Sequence, residues 1–336
     1  MEFKKIIFDE QKNVFMRCYL QECGGEFSYI KARPAMIVLP GGGYGMCSER
    51  EADPVALAYA KVGFQTFILN YTLKSVDRWP APLNDYDRAV EYIRDHAEEL
   101  GVDVTKISCV GFSAGGHLAA MAATSAKNKP VAAVLCYPGL QCMSYVPDAC
   151  KTVNPETSPC FIVGTRDDMI SPKETLEFAM RLTDYDIRYE YHMYSFGPHG
   201  ASTGEHFTQP VETHITERFA NWVEDSIGFI KELIGDFGEN GMTKPLTTAY
   251  INANHEPFYS LDCTIGHLAK NEETRFAVAP IAEALNALFP PEKSEEDNGT
   301  AFGFLDSITA TVAYRMLKMT DEVIDGVNAR LKAIKK

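Results

Sequence analysis

No run of about 18 uncharged apolar residues occurs anywhere in this chain, which excludes a hydrophobic helix through a membrane. Positive charge is also scarce. The 336 residues carry 32 lysines and arginines against 46 aspartates and glutamates, a net charge of −14. That balance argues against nucleic acid or an anionic lipid surface as a partner. A neutral or weakly charged small molecule is the expected one. No Cys/His spacing resembles a zinc site. The start, Met1-Glu2-Phe3-Lys4-Lys5-Ile6-Ile7-Phe8-Asp9-Glu10, is interrupted by charge too early for a secretory leader. Cysteine occurs nine times, an odd count. Cys109, Cys136 and Cys160 fall inside apolar runs, so the thiols read as buried groups of a cytoplasmic protein rather than a disulfide framework.

What is present is enough apolar material, 46% of residues, for one domain of about 240 residues plus an appendage. Short apolar runs at 35–39, 64–70, 106–112, 131–137, 160–164 and 188–194 read as strands. Segments of helical spacing lie among them, marked by Tyr86, Ala89, Val90 and Ile93, and by Ile215, Phe219, Trp222 and Val223. Strands alternating with helices imply an α/β fold, a mostly parallel sheet covered on both faces. The first 30 residues read as an antiparallel hairpin leading into it.

The strand pattern fades past residues 235–241, so the expected domains are 1–240 and a mainly helical appendage, 241–336. Ile281, Leu285 and Leu288 suggest one helix there, and 290–299 reads as an acidic, solvated loop. Thr320-Asp321-Glu322 reads as a helix start, with a cap and early negative charge. Val323, Ile324, Val327, Leu331 and Ile334 give that helix one apolar stripe. The stripe would pack on the main domain or form a contact between two copies of the chain.

The chemistry-bearing segment is Ile107-Ser108-Cys109-Val110-Gly111-Phe112-Ser113-Ala114-Gly115-Gly116 with an Ala-rich run after it. An apolar strand enters Gly-x-Ser-x-Gly and a helix leaves it. A serine at such a turn is held in a strained backbone with its hydroxyl clear of the sheet. A second match, Gly200-Ala201-Ser202-Thr203-Gly204, lacks both strand and helix, and Ser202 reads as a loop residue. A serine hydroxyl needs a base and an orienting acid. His199, in Phe196-Gly197-Pro198-His199-Gly200, is the expected base. Of the two adjacent aspartates after the strand 160–164, Asp167 is preferred as the acid and Asp168 is the alternative. Whichever is not used would cap the helix that begins at Pro172. His192, His206 and His214 read as structural or surface residues, and His117 as a packing residue or local hydrogen-bond partner. Gly41-Gly42-Gly43-Tyr44 follows a strand. The backbone N–H groups of Gly42, Gly43 and Ala114 are the expected oxyanion donors. A phosphate cradle is disfavoured, because no Gly-Lys-Ser/Thr or Gly-x-Gly-x-x-Gly spacing is present.

These elements, in this order, resemble the α/β-hydrolase superfamily, and within it the acetyl esterases and xylan-type carbohydrate esterases related to hormone-sensitive lipase. The matching pieces are Pro40-Gly41-Gly42-Gly43-Tyr44, Asn70-Tyr71, 80–85, Gly111 to Gly116, Gly164-Thr165-Arg166-Asp167-Asp168 and Gly197-Pro198-His199-Gly200. Pro40 stands where relatives often carry histidine. The resemblance implies acyl-enzyme hydrolysis of a carboxylic ester, with no metal or organic cofactor. The tail segment Thr264-Ile265-Gly266-His267-Leu268 is similar to tails that follow carbohydrate enzymes of anaerobic bacteria, which points toward sugar esters. Specificity is expected from the loops 74–80 and 142–159. A peptidase or lipase of the same fold is one alternative, although the chain has no room for a propeller domain and no apolar lid helix. A non-catalytic binding or assembly protein is the other.

Overall fold

The computed structural model describes residues 1–209, 217–238, 241–243, 245, 258–288 and 308–334. It divides into two compact units, Met1–Lys244 and Pro245–Lys336. His214, Ile215 and the acidic segment 290–299 lie outside the described residues.

The first unit is built on an eight-stranded sheet. A hairpin opens it: β1 (Glu2–Asp9) pairs antiparallel with β2 (Val14–Leu20), and Asn13 takes the left-handed turn conformation. Asn accepts that conformation more readily than most side chains. Then come β3 (Arg33–Leu39), β4 (Gln65–Asn70), β5 (Val102–Phe112), β6 (Ala133–Cys136), β7 (Cys160–Thr165) and β8 (Tyr189–Tyr194), in the sheet order β1-β2-β4-β3-β5-β6-β7-β8. All pairs from β4 to β8 are parallel. The six sequence-derived strands are therefore present, with ends shifted by a few residues.

Side-chain alternation explains the layers. In β3, Ile37 and Leu39 face one core, with Tyr86, Val90 and Ile93 of α2 (Ala81–Asp95), Leu100 of α3 (Ala97–Leu100) and Leu118 of α4 (Ala114–Ser125). Met36 and Val38 face the other core, with Val55 and Tyr59 of α1 (Asp53–Lys61) and Trp222 and Ile230 of α6 (Asn221–Ile234). Burial on both faces is why β3 is apolar from Pro34 to Leu39. Cys109, Cys136 and Cys160 are free thiols buried in this double core.

Parallel pairing has one consequence for chemistry. The carboxyl ends of β3, β5, β6, β7 and β8 share one edge of the sheet. The loops that follow them carry Gly41 to Gly43, Ser113, Tyr137, Asp168 and His199 in turn. Register keeps these ends level: Leu39 pairs with Gly111, Phe112 with Cys136, Cys136 with Val163 and Thr165 with Tyr194. Working residues gather at this edge in open parallel sheets.

The second unit has a small core of its own, including Leu261, Leu268, Tyr314 and Leu331. Thr264 caps the helix Ile265–Lys270, and Thr320 caps the helix Asp321–Lys332 by accepting from the Val323 N–H. Of the apolar stripe, Ile324 and Leu331 are buried in this unit's core, Val327 and Ile334 pack against it half-buried, and Val323 is exposed. Among the described residues no helix is long and apolar enough to cross a membrane.

Candidate active site

Ser113 sits between β5 and α4 with φ 52° and ψ −113°. A non-glycine residue in that region is strained and is held there by its surroundings. The restraints are visible: its N–H donates to the Cys136 carbonyl at 3.0 Å, and its own carbonyl accepts from His117 and Gly139 N–H at 2.9 and 3.1 Å. Gly115 must lack a side chain, because a Cβ there would lie 2.0 Å from the Leu39 carbonyl oxygen.

His199 follows β8, and its loop is anchored where the Thr165 hydroxyl donates to the Gly197 carbonyl at 2.6 Å. His199 Nε2 lies 2.8 Å from Ser113 Oγ. Its Nδ1 lies 2.9 and 3.0 Å from the two carboxylate oxygens of Asp168. A carboxylate only accepts, so Nδ1 carries the proton and Nε2 is free to accept from the serine hydroxyl.

The acid on His199 is therefore Asp168, and the preference for Asp167 is corrected. Strand alternation ends at Thr165, where a turn closes from the Asp168 N–H to the Thr165 carbonyl. The turn carries Asp167 outward into solvent and Asp168 inward, its side chain only 4% exposed. Asp168 Oδ1 also accepts from the Ile170 N–H at 2.7 Å, which fixes its rotamer. Nor does Asp167 cap the next helix, α5 (Pro172–Asp184). Ser171 does that, accepting from the Lys173 N–H.

The glycine loop after β3 passes directly beside the serine. A Cβ on Gly41 would meet Ser113 Cβ at 3.0 Å and Glu51 Oε2 at 2.6 Å. Within the described residues the N–H groups of Gly42 and Gly43 meet no acceptor, and Ala114 opens α4, where a helical N–H has no intrahelical partner. Ala114 adjoins Ser113 in the chain, and the donors expected for an oxyanion are thus the free ones on the two segments flanking the serine.

Glu51 and Tyr137 gave no sequence signal. Glu51 is buried, although its neighbours Glu49 and Arg50 are exposed. It accepts from the Gly41 N–H at 2.8 Å and from the Tyr137 hydroxyl at 2.7 Å. Tyr137 Oη in turn accepts from the Ser202 N–H at 2.8 Å. Ser202 is fully buried, its carbonyl accepting from Trp222 Nε1 at 3.0 Å and its hydroxyl donating to the Arg50 carbonyl. The second Gly-x-Ser-x-Gly is thus a packed loop. His117, also fully buried, bridges Tyr44 Oη and the Pro147 carbonyl, each at 2.8 Å. The carbonyl can only accept, so Nε2 is protonated and Nδ1 accepts from Tyr44. Burial pushes the His117 imidazole down to about 4.

Beside the glycine loop lies a cavity of about 400 Å³, lined by Tyr44, Lys74, Asp77, Arg78, Trp79, Pro82, Tyr145 and Val146. The Tyr145 hydroxyl donates to the Gly43 carbonyl at 2.9 Å. Both loops expected to set specificity contribute to its wall. The volume falls within the range of small-molecule sites.

Comparison with known proteins points to one scaffold. The BD-FAE family profile matches residues 28–136. The chain is 34% identical to MGS-M1, whose crystal structure is of an α/β hydrolase enzyme from a Medee basin deep-sea metagenome library. The match covers 70% of this chain and 98% of that protein, with a TM-score of 0.67. It is 30% identical over 205 residues to endo-1,4-β-xylanase B of Butyrivibrio fibrisolvens, covering 50% of this chain and 32% of that protein. It is 24% identical over 219 residues to an acetylxylan esterase of Xylanibacter ruminicola, covering 56% and 45%. The chain thus spans less than half the length of these two curated relatives.

Proposed function

This chain belongs to the α/β-hydrolase family, and from that premise we propose that it is a serine carboxylic-ester hydrolase. It removes small acyl groups, acetyl above all, from sugars or oligosaccharides through an acyl-enzyme. The observation that carries the reading is the unbroken chain of hydrogen bonds from Ser113 through His199 to Asp168.

In the reaction, His199 Nε2 takes the hydroxyl proton as Ser113 Oγ attacks the ester carbonyl. Asp168 holds the imidazole in the required tautomer and offsets the charge of the imidazolium. The N–H groups of Gly42, Gly43 and Ala114 receive the developing oxyanion. Collapse breaks the bond to the alcohol, which leaves with the proton from His199. Water then attacks the acyl-serine, again giving up its proton to His199, and the carboxylic acid departs as the serine is restored.

The sugar reading is supported by the cavity beside the glycine loop. Trp79 and Tyr145 offer aromatic surface to the apolar C–H side of a pyranose, while Lys74 and Arg78 can meet hydroxyl oxygens. The names of the two curated relatives, a xylanase and an acetylxylan esterase, favour xylan-derived alcohols. The test is acetate release from acetylated xylo-oligosaccharides, set beside p-nitrophenyl esters from acetate to octanoate. The account expects acetyl esters to be preferred. A preference for octanoate would turn the reading toward a lipase, and no turnover of any ester would turn it toward a binding protein.

A further inference from the structure

Glu51 is a buried carboxylate beside the site that the reaction above does not use. Its two oxygens are spent on two different loops. Oε2 accepts from the N–H of Gly41, at the root of the glycine loop. Oε1 accepts from the Tyr137 hydroxyl, and Tyr137 Oη in turn accepts from the N–H of Ser202, three residues past His199. The short turn that carries Glu51 grips the histidine loop at two further points: the Arg50 carbonyl accepts from Ser202 Oγ, and Arg50 Nη1 donates to the Thr208 carbonyl at 3.3 Å. A Cβ on Gly200 would lie 4.0 Å from Glu51 Oε1. The Tyr137 ring meets the His199 ring edge to face, 5.1 Å between centroids.

We propose that Glu51 is a positioning residue that ties the oxyanion loop to the histidine loop and stabilises protonated His199 with its charge. This rests on the roles given above to Ser113, His199 and Asp168. An ionised carboxylate serves both contacts. Gly41 N–H can only donate, so Oε2 must accept. Tyr137 Oη already accepts from Ser202, so its own proton is directed at Oε1. Burial is the largest influence on the Glu51 carboxyl and leaves it above the ordinary carboxylate value; the Tyr137 and Gly41 hydrogen bonds and the charges of His199 and Arg50 pull it partly back. The charged and titratable groups facing the imidazole are therefore Asp168, Glu51, Tyr137 and Arg50, of which two are acids. An imidazolium forms during both halves of the reaction, and a second negative charge held out of water lowers its cost more than an exposed one would.

Glu51→Gln keeps the shape and removes the charge. Its amide offers one acceptor oxygen to two donors. The expected result is a fall in kcat on p-nitrophenyl acetate of about tenfold to a hundredfold with KM nearly unchanged. The acid limb of the kcat/KM profile moves to lower pH by about half a unit or more, because His199 loses its proton more easily without the extra charge. Tyr137→Phe cuts the tie and leaves the charge, so it lowers kcat and moves that limb less. Should Glu51→Gln fail to fold, the Tyr137→Phe variant decides, and wild-type kcat in it would overturn the tie. A folded Glu51→Gln with wild-type kcat and an unmoved limb would overturn the proposal outright. Ser113→Ala separates the two readings: retained turnover there sinks the serine mechanism, whereas a dead Ser113→Ala beside an unaffected Glu51→Gln sinks only the positioning role.

Discussion

Asp168 presents both carboxylate oxygens to His199 Nδ1, at 2.9 and 3.0 Å, while its chain neighbour Asp167 points into solvent. One residue of offset separates a working acid from a surface charge. Asp168→Asn leaves the shape but supports the wrong imidazole tautomer, and kcat should fall about 10³–10⁴-fold. Asp167→Asn should stay within about twofold of wild type. Steady-state kinetics of the two variants on p-nitrophenyl acetate checks the assignment, and equal losses would contradict it.

Gly41 touches both the nucleophile and Glu51. An added methyl at that position would lie 2.6 Å from Glu51 Oε2, 2.7 Å from the Phe112 carbonyl oxygen and 3.0 Å from Ser113 Cβ. Two of those three neighbours are backbone or the nucleophile itself, so the glycine loop has to move. Gly41→Ala should lower kcat by on the order of a hundredfold, as loss of an oxyanion donor does. It should also cost roughly 1–3 kcal/mol of stability through overpacking. Kinetics paired with urea unfolding reads both numbers. Near-normal kcat would show that the loop tolerates displacement.

β3 and β7 were legible because burial on both faces makes them apolar along most of their length. The serine was legible because its loop follows the apolar end of β5, whereas His199 follows the mixed, half-buried β8 and was legible from its small flanking residues and its place in the chain order. The choice between Asp167 and Asp168 was not, since the period-2 rule that assigns faces ends with the strand. Glu51 was invisible for a different reason. Its burial is set by Gly41, Tyr137 and the loop past His199, which are distant in sequence, and Ser48-Glu49-Arg50-Glu51 shows no local apolar pattern. The stripe Val323 to Ile334 marked a face for burial, but not that Ile324 and Leu331 share a core with Leu261 and Leu268, which lie far from them in sequence.

His117 gives a pH signature. Its folded pKa, about 4, lies below the ordinary histidine value of 6.5. The unfolded chain therefore binds a proton that the folded protein refuses between those two values. Stability contributed by this site is complete above about pH 6.5 and is lost as pH falls toward 4, amounting to on the order of 3 kcal/mol. Urea midpoints at pH 7 and at pH 4.5 for wild type and His117→Gln test this. The wild type should lose more across that interval than the variant, and parallel losses would contradict the account.

The central claim is that Ser113 is the nucleophile, and it is tested most directly by covalent capture. The protein is treated with a fluorophosphonate, digested, and the modified peptide located by mass spectrometry. The account predicts a single adduct on Ser113, formed more slowly in the presence of excess ester substrate, and none in Ser113→Ala, which has also lost turnover. An adduct on another residue such as Ser202, or ester hydrolysis persisting in Ser113→Ala, would contradict it.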